Sequence, residues 1–311
     1  MILKNISILY GNELKLLESV TIQILDNKFK KINSKVTQKN QKAIDCEGLL
    51  LIPGFINAHT HIGDSVAKDL SLNLDVDSKI HPMIGLKQKI LRETPDKELI
   101  KFMRKSAQSM IKKGITTFID FREGGLDGIN LLKRAVRTLP IKVVILGRIE
   151  YYHTKNQIKQ NNIMPDIFKT KLKSLLKNCD GVGISGTNEN SDNNLIQYSK
   201  IKKIVGIHAS ETLNSCSVSK KLTQKTEPKR ALLSRPTFLV HMTHATKNDL
   251  SIASRETRGI VICPRANASL AEGVPDIALM LKMKCNLAIG TDNVMINSPD
   301  MFREMDYLWK V

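Results

Sequence analysis

From Leu51 to the end of the chain, eight short apolar runs recur with helical segments between them, and this rhythm constrains the fold more than any other feature. The runs are "LLIPGFINAH", "ITTFIDF", "IKVVILGRIEYY", "GVGISG", "KIVGIHAS", "TFLVH", "GIVICP" and "CNLAIGTD". The intervening segments carry apolar residues at helical spacing, as in "IGLKQKILRETPDKELIKFMRKSAQSMIKKG", where Pro95 predicts an interruption, and in "GGLDGINLLKRAVRTL" and "PDIFKTKLKSLLKN". Strands that are each followed by a helix pair in parallel. Eight of them in 311 residues predict a (β/α)8 TIM-type barrel rather than an open doubly wound sheet.

The first 50 residues follow a different rhythm. "ISILY", "SVTIQIL", "FKKI" and "LLLIP" are separated by the turn formers Gly11, Asn12, Asp26, Asn27, Asn33 and Ser34, and read as antiparallel strands. The α/β chain is therefore expected to divide into residues 1–50, the strands of a small N-terminal β-sandwich domain, and residues 51–311, the barrel.

Composition removes several classes of function. Hydrophobic residues at 41% and charged residues at 25% exclude a disordered or collagen-like chain. The five cysteines form no CxxC pair, so neither a disulfide framework nor a thiolate zinc site is expected, and a reducing cytoplasm fits best. Asn5, Asn12 and Glu13 break the N-terminus before a secretory apolar region can form, and no membrane span is expected. The net charge of +18 would suit nucleic acid, but the lysines are spread along helical and strand faces and aromatics make up only 5%. A nucleic-acid partner is therefore not expected; a homo-oligomer is compatible with the sequence.

In a barrel of this kind the chemistry sits at the carboxyl ends of the strands. The first strand ends at His59 and His61, whose spacing of two puts both imidazoles on one face. The fifth ends at His208, the sixth at His241 and the eighth at Asp292. Imidazoles with one carboxylate suit zinc or iron better than magnesium, which takes mostly oxygen.

With these residues in place, the sequence resembles the amidohydrolase superfamily, in the branch of cytosine, guanine and adenosylhomocysteine-type deaminases and triazine hydrolases. "PGFINAHTH", "HASE" at 208–211, "LVHMTH" at 239–244, "ICPRANASLAEGVPDI" at 262–277 and "IGTDN" at 289–293 carry the resemblance across nearly the whole chain. It implies a single divalent metal, zinc or iron, held by His59, His61, His208 and Asp292. Water activated by that metal would attack an sp2 carbon of a small heterocyclic substrate, with Asp292 taking its proton. Glu211 would protonate a ring nitrogen and help to move a proton to the leaving ammonia, and His241 would polarise the developing tetrahedral centre. His244 is expected to have left the barrel interior.

Binuclear members of the superfamily bridge two metals with a carboxylated lysine at the fourth strand, where this chain has Gly186 and Thr187; one metal is expected. Arg148 and His153 near the third strand's end are expected to contact substrate. Arg122 and Glu123 at the second strand's end fit either a substrate contact or a structural ion pair, and His81 before Pro82 lies in the long segment after the first strand. Ala266 stands where the family's "CPxSN" has serine, which predicts one hydrogen bond fewer. Relatives continue well past the GTD motif, so a C-terminally truncated chain and an incomplete small β domain are also expected.

The implied activity is metal-dependent hydrolysis of a non-peptide carbon–nitrogen bond, by an aminohydrolase acting on a purine, pyrimidine or related heterocycle. The alternatives are a ring-opening cyclic amidase, a triazine-type hydrolase, or a catalytically silent barrel that binds nucleic acid through its basic surface.

Overall fold

The computed structural model describes residues 1–33, 42–70 and 74–311, and the chain forms two compact units, Met1–Gly54 and Phe55–Val311. Ser34, expected in a turn, lies outside the described residues.

In the first unit, strands β1 (Ile2–Tyr10), β2 (Lys15–Leu25) and β3 (Lys28–Ile32) pair antiparallel. Asp26 and Asn27 make the two-residue turn between β2 and β3 with φ of 50° and 57°, the left-handed pair that matches the twist of a hairpin. The fourth run departs from the antiparallel expectation. It forms β5 (Leu50–Leu51), and a further strand that the sequence reading did not call, β4 (Ala43–Asp45), precedes it; both run parallel to β1. Only a tight hairpin turn fixes an antiparallel sense, and the edge of β1 opposite β2 accepts either. Ile6, Ile8, Val20, Ile22 and Cys46 form the core of this sheet.

Among the described residues the second unit is built on nine parallel strands. They are β6 (Phe55–His61), β7 (Ile115–Arg122), β8 (Lys142–Gly147), β9 (Gly181–Ile184), β10 (Ile204–Ala209), β11 (Phe238–His241), β12 (Ile260–Ile262), β13 (Leu287–Ile289) and β14 (Asp292–Asn293). Their order is β13-β12-β11-β10-β9-β8-β7-β6-β14. The eighth sequence run thus appears as two strands at opposite ends of the order, and it closes the barrel. Gly290 N–H donates to Ile262 O at 2.9 Å, and the next residue, Thr291, donates to His59 O at 3.1 Å, so the chain changes partner across one peptide. Glycine is required there, because a Cβ on Gly290 would lie 2.7 Å from the Cβ of His59. The third run also differs from expectation: its strand stops at Gly147, and Arg148–Tyr152 lie beyond it.

Helices form in the segments the periodicity marks, including the break between Leu86–Glu93 and Asp96–Lys112 at Pro95, and others that it did not mark, such as Glu227–Ala231 and Met301–Lys310, accompany them. Residues such as Met103, Phe118, Leu132 and Leu239 fill the layer between sheet and helices. Inside the barrel, Phe121 packs with Leu146, Phe238, Val240 and Val261. Gly183 and Gly206 make room for its ring, since a Cβ on either would come within 2.5 or 2.6 Å of it. The Phe121 ring then forms a floor beneath His59 and His208, at centroid distances of 4.4 and 5.0 Å. All five cysteines are free, and among the described residues no helix is long and apolar enough to cross a membrane.

Candidate active site

The carboxyl ends of β6, β10 and β11 and the first residue of β14 bring four imidazoles and one carboxylate together, all nearly inaccessible to solvent. His59 Nε2 lies 3.2 Å from Asp292 Oδ1 and 3.3 Å from His208 Nε2, and His61 Nε2 lies 3.5 Å from the same Asp292 oxygen. The His61 and His208 rings stack with centroids 5.6 Å apart. Several of these side chains are aimed by unusual backbone. Ser210, His241, Met242 and Asp292 have φ of 52°, 71°, 56° and 60°, left-handed values that non-glycine residues adopt at a cost of about 1–3 kcal/mol each. By strict alternation His241 would share the outer face with Leu239; its turned backbone directs it inward instead.

The hydrogen-bond partners decide which ring nitrogens face the centre. His208 Nδ1 is 2.9 Å from Ile184 O, His241 Nδ1 is 3.1 Å from Asn267 Oδ1, and His61 Nδ1 is 3.1 Å from Phe121 O and 2.7 Å from Glu123 Oε1. Each of these partners is an acceptor, which puts a proton on Nδ1; on His61 and His208 this leaves Nε2 as a lone pair. Burial holds His59 and His208 below the ordinary imidazole value and takes His61 down to about 3, so all three are neutral. For Asp292, burial alone would raise the carboxyl, but the hydrogen bond from His59 and the neighbouring imidazoles hold it well below its ordinary value.

This donor set fits a metal. Two ligands about 2.0–2.1 Å from a tetrahedral zinc lie roughly 3.3–3.4 Å apart, which matches the 3.3 Å between the Nε2 atoms of His59 and His208. Two groups have their ligand atoms within 4.8 Å of one another, His59 with His61 and His208, and His59 with His241 and Asp292.

Beside the cluster opens a cavity of about 410 Å³, within the range of small-molecule sites. His81, Arg148, His153, Glu211, His241 and Asp292 border it. Glu211 Oε2 is 3.5 Å from His241 Nε2, its Oε1 has no hydrogen-bond partner among the described residues, and burial raises its carboxyl to about 7. Arg148 is buried, with Nε donating to Gly183 O at 3.3 Å, and His153 Nδ1 accepts the Ser191 N–H at 3.1 Å. His61, Arg148, His153, His208, Glu211, His241 and Asp292 thus line one cavity, and His59 lies buried behind it against His208 and Asp292. His244 is turned away, with Nε2 on Glu272 O at 2.7 Å. Arg122 and Glu123 pair with each other at 2.9 Å, the ion-pair reading of the two. Ala266 is fully buried.

The sequence reading missed four residues. Asn267 orients His241 and in turn donates to Thr243 Oγ1 at 2.7 Å; it stands in the quoted "CPRAN", which was the signal available. Glu227 accepts from Ser210 N at 2.9 Å, Ser215 Oγ at 2.6 Å and Thr187 Oγ1 at 3.2 Å, and so fixes the loop that carries Glu211. Asn293 Nδ2 donates to Asp292 Oδ1 at 2.9 Å. Lys87 reaches Glu123 Oε1 at 2.6 Å.

The family model described as "Amidohydrolase family" matches residues 50–311. The chain belongs to the amidohydrolase family. A Methanothermobacter thermautotrophicus protein is 35% identical over 315 residues, covering 100% of this amidohydrolase and 80% of the relative. A Thermococcus sibiricus protein named 5-methylthioadenosine/S-adenosylhomocysteine deaminase is 25% identical, over 98% of this chain and 73% of its own. Among solved structures, the atrazine chlorohydrolase of Arthrobacter aurescens in complex with zinc shares the fold, with a TM-score of 0.78 at 14% identity, over 96% of this chain and 73% of that one. Family and fold together make this amidohydrolase a hydrolytic enzyme on a (β/α)8 barrel.

Proposed function

We propose that the protein is a metal-dependent aminohydrolase that releases ammonia from a purine, pyrimidine or related heterocycle. The convergence of four buried imidazoles and the Asp292 carboxylate beside a cavity carries this reading, and relatives named as deaminases support it.

His59, His61, His208 and Asp292 would hold one zinc or iron, which supplies, when bound, the positive charge that makes water acidic near neutral pH. Asp292 is arranged to take a proton. Its Oδ1 is engaged by His59 and Asn293, while Oδ2 has no hydrogen-bond partner among the described residues. Burial raises the Glu211 carboxyl to about 7 and it faces the cavity, so in its protonated form it donates to a ring nitrogen as the carbon becomes tetrahedral, and the proton that Asp292 has taken is then passed, through the Glu211 carboxylate, to the departing amine. His241, oriented by Asn267, turns its Nε2 toward Glu211 and the cavity, where a proton on that nitrogen would stabilise the oxygen that develops on the carbon. Arg148 and His153 contact the substrate at the cavity wall. The protein works in the cytoplasm.

A panel of aminated heterocycles assayed for ammonia tests this reading. Ammonia release from at least one purine or pyrimidine supports it. Ring opening or dechlorination without ammonia would move the assignment to a cyclic amidase or triazine-type hydrolase, and steep salt-dependent retention on nucleic acid with no turnover would favour a silent barrel.

A further inference from the structure

Lys87 is the second residue of the helix Leu86–Glu93, yet it is only 3% exposed and borders the cavity beside the imidazole cluster. An ammonium has three protons to place, and three oxygens surround this one: Glu123 Oε1 at 2.6 Å, Asn293 Oδ1 at 2.8 Å and Asp64 Oδ2 at 3.7 Å. Two of these contacts lead directly to residues of the cluster. Glu123 Oε1, the same oxygen, lies 2.7 Å from His61 Nδ1, and Asn293 Nδ2 donates to Asp292 Oδ1 at 2.9 Å. One side chain therefore reaches both flanks of the centre, His61 through Glu123 and Asp292 through Asn293.

The surroundings hold the lysine in place. A Cβ on Gly85 would lie 2.7 Å from His81 N, so the turn before the helix is packed tightly. Asp64 Oδ1 accepts Met295 N–H at 3.0 Å, which ties the far side to the segment after β14. Glu123 Oε2 is taken by Arg122 at 2.9 Å, leaving Oε1 to be shared between Lys87 and His61. A lysine that only balanced buried charge would have no need to share its oxygen with a ring nitrogen of the cluster.

We propose that Lys87 is a positioning residue of the metal centre, holding His61 and Asp292 in register through Glu123 and Asn293 and so linking the Leu86–Glu93 helix to the integrity of that centre. The inference rests on the metal-centre reading above. Partners behind a ligating histidine typically change metal affinity by about 10- to 100-fold.

The test is zinc affinity by chelator competition, with the absorption spectrum of the cobalt(II)-substituted protein, on wild type, Lys87→Met and Lys87→Met/Glu123→Gln. The double variant removes the buried carboxylate charge together with its ammonium, so it supplies the measurement if Lys87→Met does not fold. Zinc affinity about 10- to 100-fold weaker with a shifted cobalt(II) spectrum in either variant supports the inference. Wild-type affinity and an unshifted spectrum in the variants, even with a lowered melting temperature, would overturn it. Wild-type protein that holds no zinc contradicts the metal-centre reading instead, and is told apart by the wild-type measurement alone.

Discussion

His241 Nε2 lies 3.5 Å from Glu211 Oε2 at the mouth of the imidazole cluster, and the other Glu211 oxygen has no hydrogen-bond partner among the described residues. Glu211 stands outside the ligand set. Glu211→Gln is therefore expected to keep its metal and to lower turnover by about 10²- to 10⁴-fold, the usual loss when a general acid or base is removed. Metal content measured beside the rate checks both halves, and full turnover or loss of the metal would refute the proton-transfer role.

Asn267 is the bond between His241 and Thr243, with 3.1 Å to the ring nitrogen and 2.7 Å to the hydroxyl. Asn267→Ala leaves the buried His241 ring and the half-buried Thr243 hydroxyl without that partner, at a cost of about 1–3 kcal/mol for a buried group left unsatisfied. The expected result is a lowered melting temperature with kcat falling more than KM changes. An unchanged kcat would show that His241 needs no orienting partner.

The floor of the site gives a packing prediction. A methyl group on Gly206 would come 2.6 Å from the Phe121 ring and 2.9 Å from Phe238. Gly206→Ala is expected to destabilise the protein by about 1–3 kcal/mol, as overpacking does, and to disturb His59 and His208 through the displaced ring. Denaturant unfolding measures the first effect; a variant as stable as wild type would mean that the barrel interior yields more readily than its packing implies.

How much of this arrangement could be read from the chain depends on the kind of contact. The alternation of strand and helix was legible because apolar periodicity is local, and His59, His61, His208 and Asp292 were legible because strand ends in a barrel converge. Barrel closure was not, since the change of partner at Gly290 depends on the close approach of His59, 231 residues away in the chain. Lys87 was also missed, because a lysine on an amphipathic helix normally faces solvent. Its position three residues before Ile90 and four before Leu91, on the apolar stripe, was the available signal. The parallel sense of β4 and β5 could not be read either, since both pair with β1, which is distant in the chain, rather than with the strand before them.

Glu304 gives a prediction for stability against pH. It is fully buried, and burial pushes its carboxyl up to about 7 against the pull of Arg265, 3.2 Å away. The folded chain then keeps a proton that the unfolded chain releases near its ordinary value of 4.5. Between those two values the folded state binds more protons, so stability falls as pH rises through the window, by at most about 3 kcal/mol for this group. Glu304→Gln should flatten that part of the profile. A wild-type melting temperature that rises across the window relative to the variant would contradict the sign.

The most direct test of the central claim is elemental analysis of the purified protein beside the His59→Ala/His61→Ala variant, with ammonia release measured on the same samples. One zinc or iron per chain in the wild type, and neither metal nor activity in the variant, is the predicted result. Two tightly held ions per chain, or metal and turnover retained without the two histidines, would contradict it.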